Sequence, residues 1–305
     1  MDFPQDPYYA LNFKLLSLVG QGLSGNESLN KFRRAFVIFT LLSSLWAQSS
    51  AVIREGFAKE AIIDIMPPLT AIAVELIMAI ILYRKEDKIN YLWRKIKEDW
   101  AGERVDEETR IKESYAEIGK FLTTFMTVGL VALLPLFIVL STFLPSFLDL
   151  VAPKDQPHAR QMPFLVYYIL DNQEHFYYVM LIIHSSLIVC FVFGIANQAM
   201  FCVHFIHSLG MFAVLGYRLQ HAIPSTFAKP RDESKSINDM CYDSIASCIT
   251  FHRKSIEFVD TLQNVYAPCF ALSLASSILL LSPTLVMFKN LRVIQFNQLF
   301  SKCCS

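Results

Sequence analysis

The fold of this chain is decided by one stretch, FYYVMLIIHSSLIVCFVFGIANQAMFCVHFIHSLGMFAVLGYRLQ, at Phe176–Gln220. It contains no acidic residue, and Arg218 is its one Lys or Arg. A helix of this length rises about 1.5 Å per residue and measures roughly 67 Å, whereas the hydrocarbon core of a bilayer is about 30 Å thick. The stretch can therefore cross a membrane and still project well beyond one side of it.

The composition of the whole chain favours a membrane protein. Of its 305 residues 54% are hydrophobic, and the mean hydropathy of +0.39 is too high for an ordinary soluble domain. Lys plus Arg and Asp plus Glu each number 27. Because these charges balance, we expect no polyanionic partner such as nucleic acid.

The sequence predicts neither an enzyme nor a protein that binds a cofactor or a metal. It has no Walker, Rossmann or HExxH motif, and no nucleophile motif joins its serines, histidines and acids. Its seven cysteines show no C-x-x-C spacing. Two pairs of possible ligands have the spacing of neighbours on a helix: His204 with His207, and Cys248 with His252. Neither pair has a matched third ligand nearby in sequence. We therefore expect no metal site.

Stretches with few or no charged residues predict an all-α fold, a polytopic membrane helical bundle with five spans. These spans lie at residues 35–53, 61–83, 121–144, 176–204 and 266–288. Residues 1–34 precede the bundle as an N-terminal segment, and residues 289–305 follow it as a short C-terminal tail. Prolines within spans two and three are tolerated where neighbouring helices satisfy the freed backbone groups.

Basic residues predict the orientation of these spans. Of the 27 Lys and Arg residues, 20 lie before span one, between spans two and three, or between spans four and five. Since cytoplasmic loops carry the excess of Lys and Arg, we expect a multi-pass cell-membrane protein with a cytoplasmic N-terminus. This orientation excludes a G-protein-coupled receptor, whose N-terminus is outside. It also predicts that the sequon at Asn26 carries no glycan.

Amphipathic helices are expected on the cytoplasmic side, where apolar residues recur every three or four positions. The predicted stripes are Ile89, Leu92, Trp93, Ile96 and Trp100; Ile111, Tyr115, Ile118 and Leu122; and Cys241, Ile245, Cys248, Ile249, His252, Ile256, Val259 and Leu262. We expect the first two helices to pack against the inner extension of span four. The alternative is a solvated amphipathic hairpin.

Several short stretches resemble the insect odorant receptor family, and its hymenopteran-type members most closely. They are WRKIKEDW at residues 93–100 with the residues that follow to Lys120, YYILD at 167–171, CITFH at 248–252, and YYALN at 8–12 with Gly20. The resemblance covers most of the chain, although the Trp-Pro that family members commonly have soon after this glycine is replaced by Gln21-Gly22-Leu23. Family members have seven spans, so the end of this chain at Ser305 predicts that the last two are missing.

The resemblance implies an odorant receptor that contributes to a ligand-gated cation channel with the odorant receptor co-receptor. The ligand would be a small apolar odorant, bound between the outer ends of spans two, three and four in the lipid bilayer. Candidate lining residues are Met66, Leu69, Glu75, Phe137, Leu140, Tyr177, Met180, Ile183 and His184. Glu75 and His184 could instead be structural polar groups of the bundle.

Two other classes of function remain open from the sequence. A truncated membrane protein that conducts no ions and acts only as an interaction partner is the principal alternative. A small transporter is the other, but the chain shows neither repeat symmetry nor paired broken helices.

Overall fold

The computed structural model describes residues 6–22, 26–55, 59–102, 105–151, 166–167, 175–222 and 237–303. At residues 55, 59–64, 144–150, 237–240 and 282–303 only the backbone is described. The regular secondary structure within these ranges is helical. The helices are α1 (Ala10–Leu18), α2 (Glu27–Glu55), α3 (Lys59–Arg84), α4 (Glu86–Ala101), α5 (Asp106–Val151), α6 (Phe176–Gln220) and α7 (Ile237–Cys303).

Five of these helices, α2, α3, α5, α6 and α7, are long and apolar enough to cross a membrane. In α5 only 6% of the most apolar window is buried within the chain, so most of that surface requires an apolar solvent. The all-α membrane fold predicted from the sequence is thereby confirmed. Each predicted span falls inside one of the five helices, and α7 continues to Cys303 through residues predicted as a tail.

One compact unit of the chain comprises Met1–Arg34, Leu82–Leu130 and Val192–Ala267. Within it, α4 buries the apolar side chains that the sequence placed on its stripe, among them Leu92, Trp93 and Ile96. The Trp93 ring meets the His204 ring of α6 edge-on, at 4.7 Å between centroids. The expectation that this helix packs against α6 is therefore confirmed.

The stripe predicted for α5 is partly wrong, because Ile118 is exposed. The face that α5 turns toward α6 includes Tyr115 of the predicted stripe, which lies against Gly210, and the small residue Gly119. A Cβ at Gly119 would lie 3.7 Å from Cγ2 of Val203, so the two helices approach closely there. Close approach favours small side chains over the larger isoleucine.

The stripe predicted for α7 is also partly wrong, because three of its isoleucines are exposed: Ile245, Ile249 and Ile256. The buried face is shifted around the helix. It holds Cys248, Phe251, Ser255, Phe258 and Leu262. Two phenylalanines provide more apolar area than the isoleucines, which explains which face is buried.

The other compact unit comprises Ala35–Ile81, Val131–Phe191 and Pro268–Ser305. Its core is a cluster of buried apolar side chains from the first half of α6, joined by one residue of α2 and by Val166. The members are Ala47, Val166, Phe176, Val179, Met180 and Ile183, with Leu187 packed against them.

Candidate ligand site

The first half of α6 provides most of the candidate site. Met180 and Ile183 are both nearly fully buried in the apolar cluster of the second unit. His184 follows Ile183, and Leu187 lies one turn beyond. Residues spaced by three and four share one face of a helix, so this face presents an imidazole bordered by apolar groups.

Val166 enters the same cluster because its neighbour Tyr167 is held on α2. The Tyr167 amide donates to the carbonyl of Ala47 at 3.2 Å. The Ser50 hydroxyl lies 2.8 Å from the carbonyl oxygen of Tyr167, and the Arg54 guanidinium lies 5.0 Å from the centre of the Tyr167 ring. These contacts place the Val166 side chain, which belongs to the connection between α5 and α6, against α6.

His184 is 7% exposed, and its Nε2 lies 3.1 Å from Oγ of Ser141 on α5. A buried imidazole without a hydrogen bond would be destabilising, so this contact joins the two helices at a defined position. Sequence reasoning identified His184 but missed Ser141. No local signal distinguishes Ser141, because the same span also carries the hydroxyls of Thr123, Thr124, Thr127 and Thr142.

Glu75 on α3 is the acidic residue near the middle of span two, and Asp64 is the other acidic residue of that stretch. Its Oε2 is buried and, among the residues that the structure describes, has no hydrogen-bond partner. A carboxylate oxygen buried without a partner is costly in a membrane, and acidic residues within spans are functional candidates by default.

The remaining predicted residues are not members of the apolar cluster that contains Met180 and Ile183 and that His184 borders. Leu69 is half-buried. Four others are exposed: Met66, Phe137, Leu140 and Tyr177. Leu140 directly precedes Ser141, and Phe137 lies one turn before it, so both flank the His184 contact along α5. The structure therefore assembles part of the predicted set and leaves the rest on the surface of the unit.

The histidines in the second half of α6 lie in the first unit and form no metal site with the described residues. His204 is fully buried, and its Nδ1 lies 3.1 Å from the hydroxyl of Tyr266. His207 Nε2 lies 3.8 Å from Oδ2 of Asp99. Each ring packs on an aromatic neighbour, Trp93 and Phe258 respectively. Both therefore serve as packed interior side chains.

The first unit also contains a groove of about 930 Å³ between α4 and α7. Charged residues line much of it, including Asp87, Arg94, Arg253 and Glu257. Small apolar molecules bind in cavities lined mainly by hydrophobic and aromatic side chains. The groove is therefore a poor site for an apolar ligand, whereas the apolar side chains of the cluster that holds Met180 and Ile183, next to His184, match the chemistry of such a ligand.

Comparison with known proteins gives one family and one fold. Residues 60–295 match the family model described as 7tm Odorant receptor. No curated protein gives a significant sequence match. Two solved structures of the insect olfactory receptor OR5 from Machilis hrabei are similar, each over 91% of this chain and 71% of theirs. The structure without a named ligand has 12% identity and a TM-score of 0.64, and the complex with eugenol has 13% and 0.68.

Proposed function

This chain belongs to the 7tm odorant receptor family, a receptor class and not an enzyme class, and we propose that it senses small volatile molecules at the membrane. The observation that carries the proposal is the family match over residues 60–295. The protein is a multi-pass membrane protein, with five helices of sufficient length and hydropathy. In the proposed mechanism it contributes to a ligand-gated cation channel together with the odorant receptor co-receptor.

The site proposed for the volatile is the cluster around Met180, Ile183 and His184. Apolar side chains there exclude water from a hydrophobic ligand, while one imidazole supplies a polar contact. The OR5 structure of similar fold has been solved in complex with eugenol. To gate a channel, the ligand must bind one arrangement of the helices more tightly than another.

The function is tested by co-expressing the chain with the co-receptor and recording currents during exposure to a broad panel of volatiles. Cells that express the co-receptor alone provide the control. We expect currents that appear only when this chain is present. Normal assembly at the cell surface with no evoked current across the panel would contradict the proposal and support a non-conducting interaction partner.

The position of the site is tested with two isoleucines of α6. Ile183 is buried in the cluster, whereas Ile188 is exposed on the same helix. Replacing Ile183 by Ala removes contact area, so we expect the concentration for half-maximal current to change by about tenfold or more. Ile188→Ala should leave it within about threefold. Equal responses of the two variants would place the ligand elsewhere.

The proposed orientation puts residues 1–34 in the cytoplasm, supported by the 20 of 27 basic residues assigned to that side. An epitope tag at the N-terminus should then bind antibody only after the cells are permeabilised. A glycan on Asn26, or staining of intact cells, would reverse the orientation.

A further inference from the structure

A small cavity of about 10 Å³ lies inside the first unit, between α4, α5 and α6. Much of its wall is apolar and includes Ala116 and Gly119 of α5. Three side chains with polar ends also line it: Asp99 of α4, Lys112 of α5 and His207 of α6. The cavity therefore combines apolar walls with polar groups that come from three different helices.

Nε2 of His207 is a buried atom that lacks a hydrogen-bond partner among the described residues. The side chain is only 9% exposed, and Oδ2 of Asp99 lies 3.8 Å from this nitrogen. That distance is too long for a direct hydrogen bond, in which the heavy atoms are about 2.7–3.2 Å apart. Buried polar atoms in folded proteins nearly always have a partner. The nitrogen therefore requires a partner that the described side chains do not supply.

Lys112 and Asp99 provide further polar groups at the same place. The Lys112 ammonium contacts Asp99 Oδ1 at 3.1 Å and donates to the Asp99 carbonyl oxygen at 2.9 Å. An ammonium has three N–H donors, and each carboxylate oxygen has its own lone pairs. Within the described part of the chain, one donor of Lys112 and the acceptor Oδ2 of Asp99 are thus available to another group.

A water molecule fits this arrangement in size and in chemistry. One buried water needs about 10–15 Å³ of cavity and two to four polar partners. A water can reach His207 Nε2 and Asp99 Oδ2 together, because two hydrogen bonds of about 2.8 Å, bent at the water, bridge their separation of 3.8 Å. A metal cation is disfavoured there, since the Lys112 ammonium already neutralises the Asp99 carboxylate.

We propose that one ordered water molecule binds in this cavity and joins His207 to Asp99, with Lys112 as its third partner. Water donates to the carboxylate and accepts from the ammonium, and it suits either tautomer of the imidazole because it both donates and accepts. The bound water connects α4, α5 and α6 within the first unit. This inference is independent of the proposed function.

A density map of the full wild-type chain, at a resolution that shows ordered waters, tests the proposal directly. A bound antibody fragment supplies sufficient mass for cryo-electron microscopy. We expect a peak within hydrogen-bond distance of His207 Nε2, Asp99 Oδ2 and Lys112 Nζ. Two results would overturn the proposal: ordered waters elsewhere in the map but none here, or direct contact between Nε2 and Oδ2.

A substitution of His207 tests whether the water depends on its nitrogen. His207→Phe keeps a ring beside Phe258, whose centroid lies 5.3 Å from that of His207, but removes Nε2. We expect the water density to disappear, because the larger ring takes up part of the cavity and offers no hydrogen bond. The thermal midpoint in detergent should fall by about 3 °C, since Asp99 and Lys112 lose a buried partner. Without a bound water, the substitution would remove an unpaired nitrogen, and the midpoint would stay or rise.

His252→Phe is the matched control for this substitution. His252 also lies beside a phenylalanine, Phe212, at 6.2 Å between centroids, but it is exposed and does not line the cavity. Its substitution should leave the water density and the thermal midpoint unchanged. Water density that persists in His207→Phe, or an equal fall in the midpoint of both variants, would contradict the role assigned to Nε2. If His207→Phe does not fold, the wild-type map decides.

Discussion

Arg218 on α6 and Glu108 on α5 form a two-bond ion pair, in which Nε donates to Oε1 at 2.8 Å and Nη2 donates to Oε2 at 2.6 Å. The Glu108 side chain is only 8% exposed. The guanidinium also lies 4.4 Å from the centre of the Phe251 ring on α7. One arginine therefore connects three helices of the first unit.

Replacing Glu108 by Ala should destabilise the protein by about 2 kcal/mol, because Arg218 loses both partners in a partly desolvated position. The neighbouring Glu107 provides a matched control, since it pairs with Arg110 in solvent and is 54% exposed. Glu107→Ala should change stability by less than about 0.5 kcal/mol. Unfolding by SDS titration in mixed micelles measures both, and equal effects would contradict the assigned role.

Gly20 should not tolerate a side chain. Its φ of 78° lies in the left-handed region, and a Cβ there would lie 2.6 Å from the carbonyl oxygen of Asn30. We expect Gly20→Ala to destabilise the protein by about 2 kcal/mol from backbone strain and this contact. Gly102→Ala is the control, because among the described residues its Cβ would meet the carbonyl oxygen of Asp99 alone, at an ordinary contact distance of 3.5 Å. A thermal midpoint unchanged by Gly20→Ala would contradict the prediction.

The hydrogen bond between Asn12 and Thr123 should stabilise the packing of the N-terminal helix α1 on α5. Asn12 Nδ2 donates to Thr123 Oγ1 at 3.0 Å, and both side chains are buried. Thr123→Val keeps the shape but leaves the amide without this acceptor, which should cost about 2 kcal/mol.

Thr127→Val is the control for this prediction, because the Thr127 hydroxyl donates to the carbonyl of Thr123 in its own helix and to no other helix among the described residues. We expect it to change the free energy of unfolding by less than about 0.5 kcal/mol. The same SDS titration measures both variants. If Thr127→Val were as destabilising as Thr123→Val, the interhelix hydrogen bond would not be the cause.

Burial should make Tyr9 a source of instability at alkaline pH. Its side chain is almost fully buried, and burial raises the pKa of the phenol well above its usual value. The unfolded state loses this proton near pH 10, while the folded state keeps it to higher pH. The stability that neutral Tyr9 provides is therefore complete below about pH 10 and falls as pH rises through the folded pKa.

Tyr9→Phe should flatten this decline, although it also removes the hydrogen bond that Trp100 Nε1 donates to the Tyr9 hydroxyl at 3.0 Å. The measurement is the thermal midpoint in detergent from pH 7 to pH 11. Tyr242→Phe should leave the pH profile unchanged, because that side chain is 74% exposed. An identical alkaline decline in wild type and Tyr9→Phe would assign the effect to other groups.

The candidate site was predictable from the sequence in part. The sequence indicates Met180, Ile183 and His184, because a histidine lies among apolar residues spaced three and four positions apart in an uncharged stretch. The sequence does not indicate Ser141, because many membrane helices carry serines that bond only to their own backbone. Its role depends on its distance from His184, which lies 43 positions away in the chain.

The sequence by itself determined that this protein is a helical membrane bundle, because hydropathy and helical periodicity are local properties of the chain. It also carried the odorant receptor resemblance. Only the tertiary structure decided which faces of α5 and α7 are buried, since that depends on the size of side chains on other helices. The tertiary structure also decided that Arg218 pairs with Glu108 and that His184 contacts Ser141. Such contacts join distant residues, and no local pattern specifies them.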